Sequence, residues 1–158
     1  MYHFRPARRE DTSTILALYR QAVGSPGCSW DEGYPAMANI EEDLSLKALY
    51  VLEGEGEVLA AVSCGPFHEL DQLPWRALSQ APLELARLCV KRECQGRGLA
   101  GKILDALLRE LGGRCIRLLV RPDNEAAKHL YLKRGFLPVG ETLLYDLDFI
   151  CCERKEKF

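Results

Sequence analysis

No apolar run in this 158-residue chain approaches the ~20 consecutive residues that a membrane-spanning helix requires. Tyr2-His3-Phe4-Arg5-Pro6 reads directly as structure, so no secretory leader is expected. A cytoplasmic protein with no membrane partner is the expectation. Excess positive charge is lacking too: 21 Lys and Arg face 23 Asp and Glu, a formal charge of −2. General nucleic-acid binding asks for a basic surface, so no nucleic-acid partner is expected. The three histidines are scattered, and no C-x-x-C pair occurs among Cys28, Cys64, Cys89, Cys94, Cys115, Cys151 and Cys152. Zinc spacings are therefore missing, and no metal is expected. The odd cysteine count fits a reducing compartment, with Cys89 and Cys115 reading as small core residues of apolar strands. Repeats and low-complexity tracts are missing as well.

What is present is an ordinary globular composition, 47% hydrophobic and 28% charged, in a chain long enough for one domain with a sizeable core. Tyr2 to Arg5 reads as a strand. Asp11 is a plausible helix cap before the apolar face of Ile15, Leu16, Leu18, Tyr19, Ala22 and Val23. An aromatic loop, Cys28 to Pro35, leads to a second helix over about Ala36 to Leu46. Ala48 to Glu53 and Glu57 to Cys64 form a hairpin around Gly54-Glu55-Gly56, and an irregular stretch runs from Gly65 to Pro82. Leu83 to Val90 and Cys115 to Val120 are the fourth and fifth strands. Phe136 to Val139 opens a closing hairpin, and Leu143, Tyr145, Leu147 and Phe149 alternate as the last strand.

Between the fourth and fifth strands lies Gln95-Gly96-Arg97-Gly98-Leu99-Ala100-Gly101-Lys102, followed by a helical stripe of Leu99, Ile103, Leu104, Leu107, Leu108 and Leu111. A glycine turn opening a helix presents free amide N–H groups and the positive end of the helix dipole, an anion site. Three signatures overlap there. The G-x-G-x-x-G dinucleotide fingerprint expects its first glycine almost at the strand's end, yet Lys91 to Gln95 intervene, and too little chain follows Asp123 for a second half-sheet. The G-x-x-x-x-G-K phosphate loop fails at Ile103, which has no hydroxyl for magnesium. Q-x-x-G-x-A, from Gln95, Gly98 and Ala100, is the pyrophosphate loop of acyl-CoA-dependent N-acyltransferases.

Downstream, Asn124 to Phe136 reads N-x-x-A-x-x-x-Y-x-x-x-G-F, with Ala127, Tyr131, Gly135 and Phe136 in place. Together with Arg87-Leu88-Cys89-Val90 and the glycine loop, this segment resembles the GCN5-related N-acetyltransferase (GNAT) family, densely from about Leu83 to Val139. The resemblance implies an α/β fold (α+β in some schemes). Its mixed sheet would have about seven strands and about four flanking helices, with strands four and five splayed. One domain would cover 1–152, and 153–158 would be a polar tail. A homodimer pairing through the exposed final strand is a further expectation.

The family's chemistry implies acetyl-CoA as cosubstrate, with the acetyl group passing directly to a primary amine of a small molecule or peptide in a ternary complex. Alternatives are a protein N-terminus or lysine as acceptor, or an acyl-CoA-binding sensor without turnover. Leu88 and Val90 would offer backbone groups to the thioester arm. Gln95, Gly96, Arg97, Gly98, Leu99, Ala100 and Gly101 would hold the pyrophosphate, inside a basic rim of Arg92, Arg97, Lys102, Lys128, Lys133 and Arg134. Asn124 bonds CoA or caps its helix. Tyr131 is the candidate general acid for the departing thiolate, or a group that orients it. The acidic residue that some relatives carry on strand five is Leu119 here, which leaves Glu84 as the candidate general base. Trp30 and Tyr34, with His68 and Trp75 further candidates, fall where the family binds its acceptor. Aromatic walls near Asp31, Glu32 and Glu42 would suit a cationic or amphipathic amine.

Overall fold

The computed structural model describes residues 1–156. Seven strands, β1 (Tyr2–Pro6), β2 (Leu49–Gly54), β3 (Glu57–Gly65), β4 (Leu83–Val90), β5 (Ile116–Val120), β6 (Leu137–Leu144) and β7 (Leu147–Arg154), form a single sheet in the order β1-β2-β3-β4-β5-β7-β6. Only β4 and β5 are parallel. Four helices cover it: α1 (Thr12–Ala22), α2 (Met37–Ser45), α3 (Leu99–Leu111) and α4 (Glu125–Leu132).

Both faces of the sheet are buried, which is why β3 is apolar almost throughout. On one face Ala60, Val62, Leu85 and Leu118 pack with Ile103, Leu104 and Leu107 of α3 and Tyr131 of α4. On the other, Val51, Ala61 and Cys89 meet Ile15, Leu18 and Tyr19 of α1 and Ile40 of α2. Successive residues of β2 and β3 point alternately into these two cores.

Four expectations need correction. The last apolar alternation is not one strand: Tyr145 and Asp146, at φ of 53° and 62°, form the turn between β6 and β7. Glu153 and Arg154 belong to β7 and not to a tail, and Glu153 is buried; of the expected tail, residues 157 and 158 lie outside the described residues. The final strand is interior; the sheet's edges are β1 and β6. Asp11 precedes α1 without capping it; its carboxylate accepts the Arg8 N–H at 2.7 Å and pairs with Arg5 at 2.8 Å.

Candidate functional site

β4 and β5 share two register pairs, Leu83 with Ile116 and Glu84 with Arg117. Beyond them the strands part, because β3 holds β4 as far as Val90 while β7 draws β5 along as far as Val120. A bulge aids the divergence. Arg87 and Leu88 together oppose Val62, and Arg87 sits in the left-handed region at φ 54°.

Two cavities open in the gap. The first, about 290 Å³, is lined by Leu88, Val90, Gln95, Val120, Asn124, Ala127 and Tyr131, and closed by residues 25–30 of the loop after α1. The second, about 560 Å³, lies beside it under the β6–β7 turn, between Trp30, Tyr34, Phe67, Glu84, Tyr145 and Phe149. Ser29, Trp30, Arg87, Leu119 and Phe149 line both, so the two meet there.

Three residues after Gln95, which lines the first cavity, Gly98 takes φ 75° and starts α3, a backbone position where a side chain would be strained. The amides that follow it, from Leu99, Ala100 and Gly101, are among those a helix leaves unpaired in its first turn. Leu99 can offer only backbone, since its side chain is buried in the core. A Cβ on Gly101 would lie 2.6 Å from the Arg134 guanidinium, so this glycine also serves close packing. Part of the expected basic rim is already committed. Arg134 pairs with Asp105 at 2.8 Å, Lys128 with Glu125 at 2.9 Å, and Arg92 bonds the main-chain oxygen of Gln21. Arg97 and Lys133 make no ion pair among the described residues.

Asn124 caps α4, its Oδ1 accepting the Ala127 N–H at 3.1 Å, while it lines the first cavity. Seven residues on, Tyr131 packs edge-on against Phe136, ring centroids 5.6 Å apart. Burial raises its pKa above the ordinary tyrosine value.

Glu84 is 4% exposed and not solvent-facing. Its two oxygens accept the backbone N–H groups of Glu69 and Leu70, each at 3.1 Å, and burial raises its pKa above the usual carboxylate range. Glu153 does likewise for Arg76 and Ala77, at 2.7 and 2.8 Å. Register places Arg117 between these two glutamates, where its guanidinium lies 5.3 Å from the centre of the Trp75 ring. The irregular stretch after β3 is thus fastened to the sheet at two points. Trp75 belongs to that fastening and His68 pairs with Asp71 on the surface; neither lines a cavity, nor do Glu32 and Glu42.

Sequence reasoning assigned no site role to Arg87 or Asp43. Arg87 Nη2 donates to both Asp43 oxygens at 2.9 Å, and Nη1 donates to the Tyr34 hydroxyl at 3.0 Å. Ser63 completes the set by donating to Asp43. Both charged side chains are more than nine-tenths buried. Phe67, Tyr145 and Phe149 are further wall residues that local patterning left unassigned.

Comparison with known proteins adds the following. The model of the acetyltransferase (GNAT) family matches residues 14–136. No curated protein sequence matches the chain. Among solved structures, a GNAT-family acetyltransferase of Streptococcus agalactiae 2603 superposes with a TM-score of 0.84 at 21% identity, over 99% of this chain and 96% of its own. The Salmonella typhimurium protein yncA, solved with its cofactor acetyl-CoA, gives 0.74 at 22% identity, over 97% and 92%. The ribosomal-protein-S18-alanine N-acetyltransferase of Escherichia coli gives 0.76 at 19%, over 98% and 93%.

Proposed function

The chain belongs to the GNAT acetyltransferase family, and from that premise we propose that it passes the acetyl group of acetyl-CoA directly to a primary amine while both are bound. The observation that carries this reading is the meeting of two cavities at the parting of β4 and β5. One carries Gln95, just ahead of the α3 N-terminus, at its wall, suited to a phosphate-bearing arm; the other is larger and aromatic.

The residues fit acetyl-CoA on the donor set alone. Helix α3 opens with free amides behind Gly96, Arg97 and Gly98, and an anion placed there meets N–H groups and the dipole together. Gln95 lines the cavity just inside that loop. Leu88 and Val90 belong to the stretch of β4 that has no β5 partner, where Val90 O accepts only a long 3.4 Å bond from Gln95 Nε2, so a pantetheine amide can bond this edge of β4. Asn124, through its cap, fixes where α4 begins and so where Tyr131 stands.

When bound, the cosubstrate supplies an electrophilic thioester carbon. A new N–C bond forms as the C–S bond breaks, the amine loses a proton and the thiolate gains one. Tyr131 supplies the proton to sulfur from the first cavity. Its raised pKa keeps the hydroxyl protonated until then. Glu84 takes the amine's proton on the second-cavity side, and burial, by raising its affinity for protons, makes it a stronger base than an exposed carboxylate. The acceptor enters as an ammonium and gives its first proton to Glu84 before attack; the second leaves nitrogen as the C–S bond breaks and restores Tyr131 through solvent, and Glu84 then releases its proton to solvent. Seven unpaired cysteines agree with a cytoplasmic site of action.

The test is thiol release from acetyl-CoA across a panel of amines, polyamines, amino acids and peptides, run with wild type and Tyr131→Phe. Amine-dependent release that falls in the variant is the expected result. Saturable acetyl-CoA binding with no release from any acceptor would overturn the reading in favour of a binding domain.

A further inference from the structure

The second cavity combines five aromatic rings with one sign of available charge. Trp30, Tyr34, Phe67, Tyr145 and Phe149 supply its apolar surface, and Asp31, Glu69 and Glu84 supply carboxylates. Its one cationic lining residue, Arg87, has its charge matched by Asp43. Asp43 takes both hydrogen bonds from Nη2, Tyr34 takes one from Nη1, and Nε is buried without a partner. The ion pair cancels the charge where it stands, with both side chains almost wholly buried.

We propose that this cavity selects amines carrying an aromatic body and no carboxylate beside the amine, the arylalkylamine class, and discriminates against the corresponding amino acids. The proposal rests on the acetyl transfer assigned above and specifies its acceptor. An ammonium group entering the cavity meets carboxylates and the negative faces of aromatic rings, both attractive to it. An amino acid brings in addition a carboxylate that must give up its water beside Asp31, Glu69 and Glu84, with no free cation to receive it. Tyr145 strengthens the case for an aromatic body. It lines the cavity yet is 76% exposed, and a ring laid against it would bury surface that now faces water.

Paired ligands separate charge from size. Binding of tryptamine, tryptophan amide, tryptophan and n-propylamine is measured by calorimetry on the protein saturated with CoA, where no turnover occurs. Thiol release from acetyl-CoA is measured with the same four compounds. Tryptamine and tryptophan amide should bind alike, each roughly tenfold or more tighter than tryptophan and tighter than n-propylamine. Glu69→Lys, a change on an exposed side chain, should shrink the ratio of tryptophan amide to tryptophan affinity by about fivefold or more. Equal affinity for tryptophan and its amide overturns the proposal, as does equal affinity for n-propylamine and tryptamine, or no binding by any of the four. The expected order of binding with no thiol release supports this selectivity while overturning acetyl transfer. Thiol release without that order does the reverse.

Discussion

Gly27 and Asn124 approach so closely that a Cβ on the glycine would lie 2.8 Å from both Cβ and Cγ of the asparagine. This contact seats the loop after α1 on the first turn of α4 and closes the first cavity. Gly27→Ala should therefore cost stability twice, through the contact and through its φ of 77°, together ~1–3 kcal/mol. The expected fall in Tm is about 2–10 °C, with weaker acetyl-CoA binding by calorimetry. Gly24→Ala is the control. It shares the positive φ, at 85°, but its Cβ would meet nothing within 4 Å, so it should lose some stability and keep its affinity for acetyl-CoA.

Removing the charge from Asp43 leaves Arg87 buried without its counterion. Asp43→Asn should destabilise by ~3 kcal/mol, read as a drop of about 6–12 °C in thermal unfolding. Adding Arg87→Met should restore part of that loss, because the uncompensated charge is gone. A double-mutant cycle showing simple additivity would mean that the two side chains do not share an energy.

Tyr131→Phe keeps the ring against Phe136 and deletes only the hydroxyl. A loss of about 10²-fold in kcat with Tm unchanged is expected. The defect should largely vanish with an acetyl thioester of an acidic thiol, whose leaving group needs no proton. Persistence of the full defect with that donor would assign the hydroxyl to orientation and not to acid catalysis.

For Glu84 the sign of the pH effect follows from its raised pKa. Between the ordinary carboxylate value and the raised one, the folded protein binds more protons than the unfolded chain. Folding stability from this group is accordingly fullest at low pH and is lost as pH rises through the folded value. In the proposed transfer the dependence runs the other way, since only the ionised form accepts a proton. In wild type the acid limb of kcat should lie above the ordinary carboxylate range, and Glu84→Gln should lower kcat and remove that limb. Retention of the limb in the variant would assign it to another group.

The glycine loop, both flanking strands and both helices of the first cavity were legible because each is specified within about a dozen neighbouring residues. Glycines mark the turn, Asn124 marks a helix start, and a 3.6-residue stripe marks α3. What stayed hidden depends on distant partners. The β6–β7 turn uses Tyr145 and Asp146 in a conformation that usually selects glycine or asparagine, and apolar alternation runs straight through it. Glu153 looks like the start of a polar tail until Arg76 and Ala77 bring their N–H groups to it from 77 and 76 residues away. The bulge at Arg87, which turns that side chain toward Asp43, has no marker in an otherwise regular strand. The second cavity is consequently the part read least well, since its walls come from five separate segments.

The two-pair join between β4 and β5 divides the sheet mechanically as well as chemically. β1 to β4 form one plate and β5 to β7 another, with little backbone bonding along the seam. The segment between β3 and β4 is riveted to the first plate through Glu84 and to the second through Glu153, and so acts as a brace across that seam. Its stiffness limits how far the plates can shear or spread. Loosening the Glu153 rivet should let the plates move apart before it unfolds the protein.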